Sequence, residues 1–524
     1  MTVYYGGMKD FVETHQSKIR GVLSCFDRML FRGYLPLRCG SQMAGFLNQP
    51  HIRFHRLKDF LTEHSLRLKL CAQEMAQREG RPYVYLNQKR PMEREARALA
   101  EKDGIDKGLV CIFSILEPCR TFSFKFLKDQ TFARSAQRKC LHLYYYFMEP
   151  DFGLIHVKVQ TWFPMTMQVY VNGQEWLARK LQANGIGFAM LDNVFIEVED
   201  LERAQAFADR LPSLDWPRIL TNLTRRTNPL MDELLKGLDY YWVTAQSEYA
   251  TDVLFKSRQA LQELYPRILS HGMLCFGAKE VMGFLGKKLH GNFQGEVVTD
   301  MTAMEHRRIP GMRIKHRVKK NWLKMYDKAG IVLRVETVIN SPEEFRVRRR
   351  VRRGGQAKTE WVQMLKGVSY LFRYRDVSRS ANSRYLDSLA VVSDHSAKVR
   401  ELERITRRKR VTPHRTAKAL NPLSREDLQL FEAVMNGAHC VRGFMNRDIR
   451  DQLRCTTHFR GLREDDRRRS AKVTRIFQRL HAHGLIAKIP HSRKWRTTRF
   501  GRRVMAAAIL VKARTYPELL ECRA

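Results

Sequence analysis

The positive charge of this chain is concentrated in its last 220 residues, and this limits how that part can fold. The whole sequence of 524 residues has a formal net charge of +40 at pH 7. Residues 305–420 contain 31 lysines and arginines against 11 acidic residues, and residues 421–524 contain 23 against 10. Like charges repel one another in a compact domain, so these side chains must lie on surfaces that meet a polyanion. We therefore expect a nucleic-acid-binding surface in this part of the chain.

The composition of the chain limits the classes of protein to which it can belong. With 44% hydrophobic residues, the chain can bury cores for about two to four domains. It has no run of about 18 apolar residues that could span a membrane, and Met1–Gly7 lacks the pattern of a signal peptide. We therefore expect a cytoplasmic protein with no membrane partner. None of the ten cysteines forms a C-x2-C pair, which predicts reduced thiols and no zinc site.

Strand and helix patterns in the first 400 residues favour an α+β fold. Residues 140–147 and 154–162 are rich in aromatic and β-branched residues and flank a turn, which predicts a β-hairpin. A helix at 176–184, a strand within 188–197 and a helix at 202–211 are predicted next. A similar order of a strand at 240–255, helices in 257–289 and a hairpin at 324–336 follows. We expect an antiparallel-sheet, ferredoxin-like body, and a duplicated unit is an open alternative.

The last hundred residues predict a winged helix-turn-helix domain. Ser424 and Asp427 cap a first helix, and helices at 447–453 and 470–483 follow. Two short strands, 485–489 and 495–498, then flank a basic tip before a closing helix at 503–514. The predicted domains are an N-terminal mixed α/β region (1–125), two α+β sheet domains (126–237 and 238–395), a basic linker (396–420) and this winged helix domain (421–524).

The third predicted helix carries an apolar stripe and a polar face. Val473, Ile476 and Leu480 lie on the stripe, which leaves the polar face for the major groove of DNA. The candidate DNA-binding residues here are Lys472, Arg475 and Arg479 on the helix, and Arg493, Lys494 and Arg496 at the tip of the wing. A winged helix that contacts proteins instead is the alternative.

The hairpin at 324–336 brings charged side chains to one turn. Lys324, Tyr326 and Lys328 share one face of the first strand, and Arg334 and Glu336 share one face of the second. A three-residue loop, 328–330, places the two sets side by side, whereas a two-residue loop places them on opposite faces. The alternatives are a phosphate-binding cluster and a cross-strand salt bridge on a solvated face. A second basic segment follows, with Arg349, Arg350, Arg352 and Arg353 as candidate DNA-binding residues in an Arg/Val alternation.

The amino-acid sequence of this hairpin resembles that of a hairpin in a known protein family. Tyr326-Asp-Lys328 followed by Arg334-x-Glu336 is similar to a hairpin in rolling-circle replication initiators of filamentous phages and small plasmids, and the likeness covers residues 238–340. The whole chain resembles a widespread group of uncharacterised bacterial proteins with a C-terminal winged helix.

The initiator resemblance implies metal-assisted nicking of single-stranded DNA by a tyrosine. On that reading Glu336 with Glu248 and Asp252 would hold Mg²⁺ or Mn²⁺, and Lys324, Lys328 and Arg334 would neutralise phosphate charge. The candidate catalytic residues are Tyr326, Tyr385 and Glu336.

Three function classes remain open at this point. The first is a DNA-binding protein of a mobile element or plasmid that acts as a replication-initiator-like nicking enzyme. The second is a non-enzymatic winged-helix transcriptional regulator. The third is an RNA-binding protein that uses the aromatic residues at 144–147 and the arginine-rich segment for single strands.

Overall fold

The computed structural model describes residues 9–48, 52, 56–88, 90–127, 130–303, 311–353, 356–390, 392, 399–412, 415–436, 439, 443–454, 456–459 and 465–510. Contacts divide the chain into two compact units. Unit 1 comprises residues 1–22, 252–336 and 379–524, and unit 2 comprises residues 23–251 and 337–378.

The described helices are α1 (Lys9–Thr14), α2 (Gly40–Asn48), α3 (Leu57–Arg78), α4 (Met92–Lys102), α5 (Gly173–Ala183), α6 (Leu201–Arg210), α7 (Trp216–Thr227), α8 (Arg258–Leu274), α9 (Ala278–Phe284), α10 (Leu371–Leu389), α11 (Val399–Ile405), α12 (Arg425–Val434), α13 (Asn446–Gln452), α14 (Asp466–Ala482) and α15 (Arg499–Leu510). Short 3-10 helices lie at Leu211–Ser213, Pro229–Asp232, Pro342–Glu344, Val368–Tyr370 and Thr457–Phe459.

The described strands are β1 (Ile19–Tyr34), β2 (Tyr83–Leu86), β3 (Gly108–Leu127), β4 (Gln130–Glu149), β5 (Gly153–Gln160), β6 (Met167–Asn172), β7 (Phe188–Leu191), β8 (Val194–Val198), β9 (Tyr241–Phe255), β10 (Val297–Ala303), β11 (Met312–Val318), β12 (Asn321–Lys328), β13 (Val332–Ile339), β14 (Arg346–Arg353), β15 (Gln356–Gln363), β16 (Lys409–Thr412), β17 (Arg415–Ala417), β18 (Ile486–Lys488) and β19 (Trp495–Thr497). Eleven of them form one sheet in the order β10-β11-β12-β13-β9-β1-β6-β5-β4-β3-β2. The predicted α+β class is confirmed. The sheet is mixed rather than purely antiparallel, because β2 pairs with β3 in parallel.

Unit 2 contains the predicted aromatic hairpin. Strands β4 and β5 pair from Glu149↔Gly153 to His142↔Gln160, and Gly153 adopts a positive φ of 71° at the turn between them. The four aromatic residues at 144–147 are all buried, at 7% exposure or less. Their rings therefore pack in the protein and do not form an exposed surface on which bases could stack.

The predicted strand within 188–197 is instead a pair of short strands. Asp192 adopts a positive φ of 54°, and this turns the chain so that β7 and β8 pair with one another. The helices predicted in 257–289 are present as α8 and α9, with Gly277 as the N-cap of α9.

In unit 1, strands β10 to β12 pair in antiparallel order, and one face of them is apolar. Ile314, Leu323 and Met325 are fully buried on this face. The other face, which carries the alternate residues, is rich in charged side chains.

The C-terminal part of unit 1 has its own core. The predicted stripe of α14 is confirmed, since Val473, Ile476, Phe477 and Leu480 are all buried. Helix α14 begins one turn earlier than predicted because the side chain of Asp465 accepts the Arg468 N–H and caps it there. The predicted cap at Ser424 is also present, with its Oγ accepting the Asp427 N–H at 3.1 Å.

The predicted two-stranded hairpin after α14 is confirmed as β18 and β19. Phe444 adds a backbone bridge on its outer side, with hydrogen bonds of 2.9 and 2.8 Å to Trp495. The Trp495 ring packs 5.6 Å from the Phe477 ring of α14, so the hairpin is held beside that helix. Residues 460–464, which precede α14, and residues 511–514 of the predicted closing helix lie outside the described residues.

Among the residues that the structure describes, no helix has the length and hydropathy needed to cross a bilayer.

Candidate nucleic-acid interface

The polar face of β11 and β12 gathers cations around a tryptophan. In the antiparallel register, Lys315 lies opposite Lys324 and Arg317 lies opposite Trp322, so these side chains share one face. The Lys315 Nζ lies 3.8 Å from the centre of the Trp322 ring, and the Lys324 Nζ lies 5.7 Å from it. Partial burial and the neighbouring charge of Lys324 lower the pKa of Lys315. Lys324 and Arg317 are also paired with carboxylates, at 2.8 Å to Glu336 and 3.5 Å to Glu296, so the positive charge of this face is partly compensated.

Sequence reasoning did not include Lys315, Arg317 or Trp322 among the candidate residues. A signal was available, because Arg313, Lys315 and Arg317 alternate with apolar or buried residues at the period of a strand.

The turn of the hairpin decides which side chains of β12 and β13 meet. Strand β12 ends at Lys328 and β13 begins at Val332, which leaves three residues in the loop. Ala329 and Gly330 both have positive φ, at 58° and 70°, and the Asp327 Oδ1 accepts the Gly330 N–H at 2.9 Å. The loop therefore lies one residue later than the predicted 328–330, but its three-residue length places Lys324 and Glu336 on one face, as that alternative required.

Glu336 is the centre of the cluster that results. Its Oε1 accepts a hydrogen bond from the Lys324 Nζ at 2.8 Å, and its Oε2 accepts one from the Tyr326 hydroxyl at 2.6 Å. The Glu336 side chain is 1% exposed and that of Lys324 is 12% exposed. This pair is buried, and so it differs from the solvated salt bridge that was the simpler alternative. Lys328, at the end of β12, is half-buried.

Arg334 and Asp252 form a second buried pair. The Arg334 Nε and one terminal nitrogen donate to the two carboxylate oxygens of Asp252, at 2.6 and 2.7 Å. Arg334 is fully buried and Asp252 is 2% exposed at the side chain. This two-point geometry fixes both groups. Arg334 therefore does not present its charge at the surface in this conformation, and Asp252 is held by a cation.

The two candidate tyrosines are both buried. Tyr385 of α10 lies among Phe276, Phe284 and His316, and it hydrogen-bonds the His316 Nε2 at 3.0 Å. Its burial raises its pKa well above the usual 10, and burial lowers the pKa of His316 to about 4. Tyr326 is 4% exposed and donates to Glu336. Neither hydroxyl is placed to attack an external phosphate in this conformation.

Two of the three predicted metal ligands are engaged by cations within unit 1. Asp252 is paired with Arg334, and Glu336 accepts hydrogen bonds from Lys324 and Tyr326. Glu248 is buried, and one of its oxygens accepts a hydrogen bond from Gln246 at 3.0 Å.

The helix α14 and the β18–β19 hairpin carry the second group of predicted residues. Arg475, Arg493 and Arg496 are exposed, and none has an ion-pair partner among the described residues. Lys472 and Lys494 are half-exposed. Arg479 differs from these, because its guanidinium bonds both carboxylate oxygens of Asp427 at 3.0 and 3.1 Å. Its charge is compensated within the fold, so it is a structural residue here.

The arginine-rich segment forms a hairpin of its own in unit 2, β14 with β15. Its alternation is confirmed at Arg350 and Arg352, which are exposed. Arg349 instead lies against Tyr370, with a hydrogen bond of 3.3 Å to the hydroxyl. The side chain of Arg353 lies outside the described residues.

Comparisons of the chain with protein-family models, with curated proteins and with solved structures found no match.

Proposed function

We propose that this protein binds DNA through residues 421–510 and that this region is a winged helix-turn-helix. The observation that carries the proposal is that the basic β18–β19 hairpin packs on the core that α14 shares, through Trp495 against Phe477, while Arg475 and Arg493 stay exposed. Helix α14 would lie in the major groove, which at about 12 Å is wide enough for a helix. The tip of the hairpin would contact the phosphate backbone.

The pairing of α13 with α14 supports this reading. The Asn446 Nδ2 donates to the Ser470 carbonyl at 2.8 Å and to the Thr474 hydroxyl at 3.0 Å, which ties the start of α13 to α14. In a helix-turn-helix the first helix positions the second in this manner. Arg475 on α14 and Arg493 on the hairpin are then available to the nucleic acid.

The basic face around Trp322 supports a second contact with nucleic acid within unit 1. Lysine and arginine side chains beside an aromatic ring suit a phosphate backbone whose bases stack on the ring. We propose that this face binds a single strand or a distorted part of the duplex. The ferredoxin-like description of the body and the association with a mobile element or plasmid stay predictions.

Fluorescence anisotropy with labelled duplex DNA, single-stranded DNA and structured RNA tests the proposal. Arg475→Ala and Arg493→Ala are expected to weaken duplex binding, and removal of a phosphate contact is expected to lower the salt slope by about 1. Arg425→Ala is the matched control, because Arg425 is an exposed cation of the same region at the start of α12. The proposal fails if the two test variants bind duplex DNA as tightly as Arg425→Ala does.

Metal-dependent nicking of DNA is the second candidate function. It is favoured by the cluster of Glu336 with Lys324, in which a carboxylate and a cation lie together as phosphate chemistry requires. Both candidate tyrosines would have to leave buried positions, and this weighs against nicking relative to binding.

Incubation of supercoiled and single-stranded DNA with Mg²⁺ or Mn²⁺ separates the two candidates. Nicking predicts nicked product and a covalent protein–DNA adduct that Glu336→Gln abolishes, with Tyr326→Phe and Tyr385→Phe identifying the nucleophile. If wild-type protein gives neither product, nicking is excluded under these conditions, and DNA binding without nicking, as in a transcriptional regulator, is the candidate that stands.

A further inference from the structure

Unit 2 contains a cavity that the proposed DNA binding does not use. Its volume is about 260 Å³, and strands β1, β3, β5 and β6 contribute to its wall. Its sixteen lining residues include four cations and no carboxylate. The cations are Arg32, Arg38, Arg120 and Lys158.

The charge of the cavity is only partly compensated by its surroundings. Lys158 donates to the buried carboxylate of Glu117, which also accepts a hydrogen bond from the Tyr144 hydroxyl at 2.9 Å. Arg32, Arg38 and Arg120 are exposed at the rim, and none of the three has an ion-pair partner among the described residues. Three guanidinium groups at the mouth of one cavity attract a ligand that carries more than one negative charge.

The rim cations are partly oriented before any ligand arrives. The Arg38 guanidinium lies 4.0 Å from the centre of the Tyr34 ring, and a stacked guanidinium keeps its in-plane N–H groups directed outward. Arg120 donates from its Nε to the Ser135 hydroxyl at 3.2 Å. Guanidinium groups fixed by one contact lose less entropy when they bind a phosphate.

The floor of the cavity is polar and held by hydrogen bonds. The Gln160 Nε2 donates to the carbonyls of Arg120 and Trp162, at 3.1 and 2.7 Å, and its Oε1 accepts the Thr166 hydroxyl at 2.8 Å. His142 is also buried in this wall. A polar floor below a cationic rim suits a small ligand with a charged head and a polar body.

We propose that this cavity binds a 5′-phosphate monoester no larger than one nucleotide. Its volume of about 260 Å³ lies just below the roughly 300–1,000 Å³ that ligand pockets span. A cavity of this size excludes a duplex and limits the enclosed ligand to at most one nucleotide. Arginine recognises phosphate through paired N–H donors, which accounts for three arginines at the rim. The phosphate belongs either to a free nucleotide or to the 5′ end of a strand.

Titration of the full chain with AMP and with matched oligonucleotides tests this site. Isothermal calorimetry is expected to show AMP binding, and a 5′-phosphorylated single strand should compete with AMP better than the same strand with a 5′-hydroxyl. Arg120→Gln and Arg32→Gln are each expected to weaken AMP binding by about tenfold to a hundredfold, since each removes a charge-assisted hydrogen bond. Arg218→Gln is the matched control, because Arg218 is an exposed cation on α7 of the same unit.

The outcomes separate this site from the proposed DNA-binding region. Arg475→Ala and Arg493→Ala should leave AMP binding unchanged, even if they abolish duplex binding. If AMP binds more tightly than the 5′-phosphorylated strand, the cavity is assigned to free nucleotides. If the strand binds more tightly than AMP, the cavity is assigned to strand ends. The inference is overturned if AMP does not bind at millimolar concentration, or if Arg120→Gln and Arg32→Gln bind AMP as Arg218→Gln does.

Discussion

Removal of Asp252 should destabilise unit 1 more than removal of the whole Asp252–Arg334 pair. Both side chains are almost completely buried and are joined by hydrogen bonds of 2.6 and 2.7 Å. Asp252→Ala removes the carboxylate that bonds this buried guanidinium at two points, and loss of one partner of a buried pair typically costs about 3–5 kcal/mol. Replacement of both groups by apolar residues, as in Asp252→Leu with Arg334→Met, removes the charge as well and should cost less than half as much.

Native-state hydrogen exchange of peptides from β12 and β13 measures this effect in unit 1. The free energy of opening is expected to fall by about 3 kcal/mol or more in Asp252→Ala and by about 1 kcal/mol in the double variant. The comparison of the two variants separates the effect of removing one charge of the pair from the effect of removing both. A loss below about 1 kcal/mol in Asp252→Ala, or a double variant that is less stable than Asp252→Ala, would refute the reasoning.

Two further predictions concern other parts of unit 1. Burial raises the pKa of Asp387 to about 7, so the folded chain holds the carboxyl proton more tightly than the unfolded chain does. The stability that this bound proton contributes is complete below about pH 4 and is lost as the pH rises through 7. Asp387→Asn keeps an oxygen to accept the Asp10 and Phe11 N–H groups, so it should raise the thermal midpoint at pH 8 relative to wild type but not at pH 4, and equal shifts at both pH values would contradict this. Gly443 has a φ of +65°, and a Cβ there would lie 2.4 Å from the Trp495 carbonyl oxygen. Gly443→Ala should therefore cost at least about 1–3 kcal/mol and weaken duplex binding in anisotropy titrations, whereas Gly283→Ala, where a Cβ meets nothing within 4 Å, should leave binding unchanged.

Local patterns in the sequence were sufficient where neighbouring residues determine the structure. The 3.6-residue period identified the buried stripe of α14, and the Ser424 cap followed from side-chain chemistry alone. For the hairpin at 324–336, the sequence predicted the two strands but not the exact position of the loop. Its loop of 329–331 depends on Ala329 adopting a left-handed conformation, which alanine rarely does and which no pattern in the sequence signals.

The contacts that sequence reasoning missed join residues far apart in the chain. Arg479 and Asp427 are 52 residues apart, and the packing of α12 near α14 brings them together. Arg479, which was predicted to contact DNA, is therefore paired within the fold. Tyr385 is in an arginine-rich segment, yet the face of α10 that it occupies is buried against aromatic residues. The order of strands in an eleven-stranded sheet is a long-range property of the same kind, and no local pattern specifies it.

The salt dependence of duplex DNA binding tests the central claim most directly. Wild-type affinity should fall linearly with salt on a double-logarithmic scale, and the Arg475→Ala/Arg493→Ala double variant should bind more weakly with a slope lower by about 2. Unchanged affinity and an unchanged slope in this double variant would contradict DNA binding by residues 421–510.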